Sequence, residues 1–502
     1  MPAFRFADRR SATSPETVWL VGGTIALVVV LLLLALSLGR LDFDVVVGGL
    51  VLITLTLASL PLLKSVAKAE RDPSLLTIML LGLATKIIFT LIRYYFITVI
   101  YGDNGDAGLY SLAGSVFMES YRKGNFILSI PEIETRGPET ERIAAVCGMI
   151  YTITGVSRYS ASFVFSWFCY TGQIMTFRAF RRGVPEGGDG KRYLILLLFL
   201  PSLLFWPSSI GKEALMLFAI GFVCFGAAKI LTPPIEAFGA VYFALGAAGL
   251  FFIRPHMALI AIVSLAFASA VSTVVKFSAE PDKKATSRSF AFRMVTLTLL
   301  IAGGAFATTQ LSSILTNNTD DGGGISEVLA KTQAQTSEGG SVFTPPAVTS
   351  PIDIPNAVLT VLFRPYPWEA HNLNGIIASS EGLLLAGLMI AGRRRLLAWV
   401  KALGRRPYLV FALAFALCFI MAFSYIGNFG ILARQRTQML PLALVVLGMA
   451  PAPRKRASWM GHRGQRIEDP TKADRVGTPH PRAPELQSFV ESGRRLPQGE
   501  SQ

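Results

Sequence analysis

The sequence predicts an all-α fold, a polytopic transmembrane helical bundle of about 12 spans, and three observations predict it. Hydrophobic residues make up 52% of the 502 residues and charged residues 16%, well below the roughly 25% charged content of soluble domains. The apolar residues gather into long runs, which the mean hydropathy of +0.50 reflects. Lys and Arg fall mostly in short clusters between those runs and in the tail, so the formal net charge of +15 speaks for membrane topology and against a nucleic-acid-binding stripe.

A helix needs about 20 mostly apolar residues to cross the hydrocarbon core. Thr17 to Gly39 carries no ionisable side chain and exceeds the ~7–15-residue apolar region of a cleavable signal peptide, so it reads as a retained first span after a cytoplasmic N-terminus, residues 1–16. Further spans are expected at 43–63, 75–101, 160–178, 193–208, 212–231, 235–253, 257–275, 291–311, 373–392, 409–427 and 437–450. With the N-terminus inside, the basic clusters all fall inside, provided that 141–158 is re-entrant or interfacial; they include Lys64/Lys68/Arg71, Arg178/Arg181/Arg182, Lys283/Lys284, Arg393/Arg394/Arg395 and Arg454/Lys455/Arg456. Both termini are then cytoplasmic in a multi-pass plasma-membrane protein.

The membrane domain occupies 17–451, and the basic tail 452–502, rich in Arg, Pro, Gly and Ser without apolar periodicity, reads as disordered. Residues 102–159 and 312–372 become the large outer loops. In the first, Leu109, Leu112, Ala113, Val116, Phe117 and Tyr121 recur at helical spacing after Asp106, predicting a helix lying in the interface. The second carries DDGGG, TPP and SPIDIP and reads as irregular up to Ala357. Cys147, Cys169, Cys224 and Cys418 lie in apolar surroundings without CxxC spacing, as packing residues do.

The candidate chemistry lies in isolated charges of the outer connections. In YGDNGDAGLY, Asp103 and Asp106 suit a general base for an incoming hydroxyl, or oxygen ligands for a divalent metal such as Mg or Mn; they also suit a turn residue and a helix N-cap. In LPSLLFWPSSIGKEAL, Lys212 at a helix start behind Ser208, Ser209 and Gly211 offers N–H groups and positive charge to a phosphate, or simply pairs with Glu213. Arg254 and His256 sit in a tight connection, either in a site or against anionic headgroups. LFRPYPWEAHN sets Arg364, Trp368, Glu369 and His371 together, rings for a sugar's apolar face and polar groups for its hydroxyls. Arg434 and Arg436 occupy an outer connection against the positive-inside tendency, and their forks match a lipid diphosphate or plain headgroups. Within the bilayer Lys86 and Arg93 share a helix face, with Glu381 a candidate ion-pair partner.

Together these residues resemble integral-membrane glycosyltransferases of the GT-C superfamily and bacterial polysaccharide polymerases of the Wzy and EpsG type. Asp106 with Tyr110 is similar to an Asp-x-x-x-Tyr pattern in the first outer loop, and LPSLLFWPSSIGKEAL resembles a Pro-Ser…Trp-Ser…Lys-Glu/Asp segment. In the GT-C pattern the acidic loop commonly follows the first span; here it follows the third. The resemblance and the residues imply transfer of a sugar or oligosaccharide from a polyprenyl-phosphate or diphosphate donor to a glycan or lipid acceptor, at the outer face and among membrane lipids. Asp103 or Asp106 would be catalytic; Lys212, Arg254, Arg364, Arg434 and Arg436 would hold the donor phosphate; Trp368, Glu369 and His371 would orient the sugar. The rival from another class is a transporter or flippase of a lipid-linked or anionic solute, whose site would lie near the midplane.

Overall fold

The computed structural model describes residues 22–23, 42–103, 105–127, 138–277, 342–345, 351–371 and 373–451. The N-terminal segment 1–16, nearly all of span 17–39, span 291–311, most of the second loop and the tail 452–502 lie outside the described residues. Among the described residues the architecture is all-helical and without strands; extended pairing is limited to bridges between Gly188 and Met449 and between Val342 and Asn428.

The helices are α1 (Phe43–Ala69), α2 (Ser74–Tyr95, continued by a π-turn Phe96–Ile100), α3 (Asp106–Arg122), α4 (Pro138–Thr154) and α5 (Arg158–Gly183). There follow α6 (Gly190–Phe199), α7 (Pro201–Phe205), α8 (Lys212–Leu231), α9 (Phe238–Ile253), α10 (Pro255–Phe277) and α11 (Ile354–Phe363). The chain closes through α12 (Leu373–Ala391), α13 (Arg393–Leu403), α14 (Pro407–Phe423), α15 (Phe429–Gln435) and α16 (Leu440–Ala443). Four segments are long and apolar enough to cross a membrane: Phe43–Ala69, Ser74–Ile100, Lys212–Leu231 and Pro255–Ser272. The pair α12 and α13, bent by 71°, adds a fifth if it counts as one span.

Three expected elements differ. The run 193–208 is broken between α6 and α7, where Pro201 follows Leu200 in an extended conformation, as the residue before a proline prefers. The run 437–450 is the short α16 followed by turns; it is wrapped in protein, and the Tyr193 hydroxyl donates to the Pro441 carbonyl at 2.7 Å. The second loop, read as irregular, holds a helix that reaches into it: α11 starts at Ile354, with Pro355 in its first turn, where a missing N–H costs nothing.

The expected helix after Asp106 is present as α3. It pairs with α4, which occupies most of 141–158, around Ala113, Phe117, Tyr121, Ala144 and Ala145. Helix α5 is central, with Ser, Thr and Gln buried along its length. It meets α8 backbone to backbone: a Cβ on Gly172 would lie 2.4 Å from the Leu217 carbonyl oxygen, and one on Gly221 2.4 Å from that of Gly172. Small residues at such a crossing let two helices approach closely.

That contact holds α5 and α8 in register, so their ends define two charged ends of the bundle. At one end Arg181 meets Glu70 at 2.6 Å, Arg182 meets Glu236 at 2.8 Å, Lys191 meets Asp72 at 3.1 Å and Arg395 meets Asp189 at 3.1 Å. The opposite ends of the same helices carry Asp44, Arg158, Lys212 and Glu213.

Candidate functional site

The site is built on the starts of α3, α4 and α8, the α9–α10 connection and α15. Helix α8 begins after the Trp206-Pro207-Ser208-Ser209 turn, and its first turn carries Glu213 inward, 3% exposed. Asn428 caps α15, its Oδ1 accepting from the Gly430 and Ile431 N–H groups at 2.9 and 3.2 Å. This cap fixes the helix that carries Arg434. Arg434 Nε donates to Glu213 Oε1 at 2.7 Å and Nη1 donates to Asp106 Oδ2 at 2.8 Å, so one guanidinium joins α3 to α8. Burial opposes the charge on Arg434, but the two carboxylates outweigh it and raise its pKa above the ordinary arginine range.

Around this triad stand the other groups. Lys212 Nζ donates to Glu139 Oε2 at 3.0 Å, from the first turn of α4. Burial pushes the Glu139 carboxyl up, yet Lys212, with Arg254 and His256 nearby, holds it below the usual range. Arg254 is 7% exposed and donates to the side-chain oxygen of Gln435; burial lowers its pKa although Glu213 and Glu139 favour its charge. Tyr110, one turn after Asp106, is buried, and burial with the Asp106 and Glu213 charges pushes its hydroxyl up. Arg93, from the end of α2, lies over the rings of Phe205 and Trp206 at 4.6 and 5.0 Å, within Coulombic reach of Glu213 and Arg434.

Beside Asp106 opens a cleft of about 650 Å³, lined in part by Asp103, Ser111, Ser115, Val156 and Arg158. Asp103 sits in a left-handed turn, φ +62°, and its two oxygens accept from both terminal nitrogens of Arg158 at 2.7 Å. Those bonds hold its carboxyl below the usual range.

The structure therefore brings Asp106, Lys212, Arg254 and Arg434 together, and sets Asp103 at the same cleft in a separate ion pair. No family model, curated protein or solved structure matches the chain.

The remaining sequence candidates are placed differently. Arg364 Nε donates to Glu369 Oε1 at 3.0 Å, and its guanidinium covers Phe343 at 4.4 Å and Phe429 at 5.4 Å. Trp368 is 74% exposed and stacks on Tyr366 at 5.1 Å, with His371 also exposed. Phe429, under the Arg364 guanidinium, is the first residue of α15, the helix that carries Arg434. Arg436 is wholly buried; it donates to the carbonyls of Leu362, Arg364 and Ala378 at 3.2, 3.1 and 3.4 Å. It thus closes the C-terminal end of α11, whose last carbonyls lack helical partners. Lys86 and Glu381 stabilise the α6–α7 break: Lys86 donates to the Leu203 carbonyl at 3.0 Å, and Glu381 accepts from the Ser202 N–H and hydroxyl at 2.7 and 2.6 Å.

Sequence reasoning missed Glu139, Arg158 and Gln435 as members of this constellation. Glu139 carries a helix-start signal behind Pro138 but nothing that names its base. Among the described residues no group of three or more His, Cys, Asp and Glu is arranged to hold a metal. Asp103 and Asp106 each face an arginine, a donor set that does not fit a divalent cation. What the arrangement supplies is a carboxylate paired with an arginine beside a cleft, with further cations close behind it.

Proposed function

We propose that this chain is a membrane-embedded glycosyltransferase or polysaccharide polymerase, of the GT-C or the Wzy and EpsG kind, acting on a polyprenyl-phosphate- or diphosphate-linked sugar at the outer face of the plasma membrane. One observation carries the reading: Asp106 and Arg434, 328 positions apart, meet each other and Glu213 beside an open cleft, with Lys212 and Arg254 close by. This happens at the end of the bundle opposite the basic clusters of 64–71 and 178–192. In the accompanying topology about 12 spans place those clusters and both termini inside, with α3 in the outer interface.

Asp106 takes the proton of the acceptor hydroxyl as that oxygen bonds to the anomeric carbon. The bond from that carbon to the donor phosphate breaks, and the electron pair leaves with the phosphate, where Arg254 and Lys212 stabilise the charge. Arg434 keeps Asp106 oriented. The exposed Trp368 and Tyr366 offer a stacking face for the sugar.

The test is transfer of labelled sugar from a lipid-linked donor in membranes carrying Asp106→Asn, Lys212→Ala or Arg434→Ala. Asp106→Asn should lower transfer by roughly a hundredfold or more, the usual share of a general base. Wild-type transfer by all three variants ends this mechanism. A transporter would draw on Lys86, Arg93 and Glu381, of which Lys86 and Glu381 are already engaged at the α6–α7 break. Translocation of the donor across liposomes without sugar transfer would favour it.

A further inference from the structure

The cations at this site differ in what faces them. Arg434 joins two carboxylates and Lys212 meets Glu139, so both charges are locally cancelled. Arg254 donates to an uncharged amide, Gln435. Arg93 differs again, because rings surround it: Phe205 at 4.6 Å, Trp206 at 5.0 Å and Tyr101 at 5.9 Å from its guanidinium carbon. Its Nε and Nη1 are buried and have no hydrogen-bond partner. Aromatic faces favour the positive charge and the Tyr101 side chain hydrogen-bonds to Arg93, but the Nε and Nη1 groups keep no acceptor. A buried donor in that condition calls for an acceptor from outside the chain.

A second observation says where that acceptor comes from. Arg93 stands on a segment apolar enough to cross a membrane, Ser74–Ile100, and its neighbours Ile92, Tyr95, Val99 and Ile100 are exposed. Arg93 therefore sits beside an apolar flank of that segment. Free phosphate gains nothing from that flank, whereas an isoprenoid chain buries against it.

We propose that Arg93, framed by Tyr101, Phe205 and Trp206, is the anion subsite of this protein and takes a phosphate oxygen of an isoprenoid-linked phosphate or diphosphate. The inference rests on the reading of this end as a lipid-phosphate site, and it requires no sugar transfer. It moves the main phosphate contact from Lys212, whose charge Glu139 already matches, to a residue within a span.

The test uses the full chain in phosphatidylcholine nanodiscs, titrated with polyprenyl phosphate, the uncharged polyprenol of equal length and inorganic pyrophosphate. The wild type should bind polyprenyl phosphate at least tenfold more tightly than either control. Arg93→Gln should weaken polyprenyl phosphate binding at least tenfold and leave polyprenol unchanged. Arg93→Lys, which keeps the charge but loses the planar fork, should fall between; it carries the same test if Arg93→Gln lowers the Tm. Wild-type affinity in both variants overturns the subsite. Equal binding of pyrophosphate and polyprenyl phosphate overturns the lipid source and leaves a free-phosphate site. Arg93-dependent binding by a protein that transfers no sugar upholds the subsite and removes the transferase reading instead.

Discussion

The two charged ends of the bundle hold similar side chains in different settings. At the basic end Arg181 and Glu70, or Lys191 and Asp72, form one-to-one pairs whose partners keep 18% to 53% of their side-chain surface exposed. At the opposite end Arg434 serves two carboxylates, one of which, Glu213, keeps 3%. Exposed pairs are worth little because solvent screens them and ordering two long side chains offsets the attraction. A buried group is different: its partner matters mainly because an unmatched charge there is so unfavourable. Those one-to-one pairs can therefore be altered piecemeal, whereas Asp106, Glu213 and Arg434 behave as a unit.

The largest effect that would break this contrast is at Arg434. Arg434→Gln strands Glu213 and should destabilise the protein by about 3–5 kcal/mol, measured as a lower denaturation midpoint in detergent. Adding Glu213→Gln to that variant should recover part of the loss. If Arg434→Gln costs no more than Arg181→Gln, the two ends do not differ as described.

Next comes the contact that keeps both ends in register. Gly172→Leu places a side chain against the Leu217 carbonyl and should cost about 1–3 kcal/mol or prevent folding. Leucine at Gly387, which has open space around its Cα, should leave stability near that of the wild type.

A pH titration sharpens the comparison with a smaller effect. Asp103 titrates below its ordinary range because of Arg158, and Glu139 because Lys212, with Arg254 and His256, outweighs burial. Each contribution is complete above the unfolded value, roughly pH 4, and is lost as pH falls through the lower folded value. Asp72 and Glu236 at the basic end are depressed as well. Wild-type stability should thus drop below about pH 4, and Asp103→Asn with Glu139→Gln should flatten that drop. A matched pair of changes, Asp72→Asn with Glu236→Gln, reports the share of the other end.

The smallest effect belongs to Lys191→Gln, whose side chain keeps 53% of its surface exposed, and it should change stability by about 0–1 kcal/mol, less at high salt.

Much of the helical framework was legible as apolar runs. The expected spans 43–63, 75–101, 212–231 and 257–275 correspond to the four helices able to cross a membrane, because such a helix must be both long and apolar. The run 437–450 is equally apolar but packs inside protein as α16 and turns, and composition does not tell a lipid surroundings from a protein one. Asp106, Lys212, Arg254 and Arg434 stood out in the sequence as charges isolated beside apolar runs. Arg436 stood out for the same reason and proved to be a buried link between carbonyls. Arg93 was visible as an intramembrane charge, but its aromatic frame depends on α7 and the turn after it.

By itself the sequence determined that the chain is helical, strongly apolar and charged between its apolar runs, since these follow from local composition and spacing. Only the tertiary structure decided that Arg434 meets Asp106 and Glu213, that Lys212 turns to Glu139, and that Arg93 faces rings. The reason is geometric: an ion pair depends on a few ångströms of separation, and helix packing alone brings residues 328 positions apart within that distance.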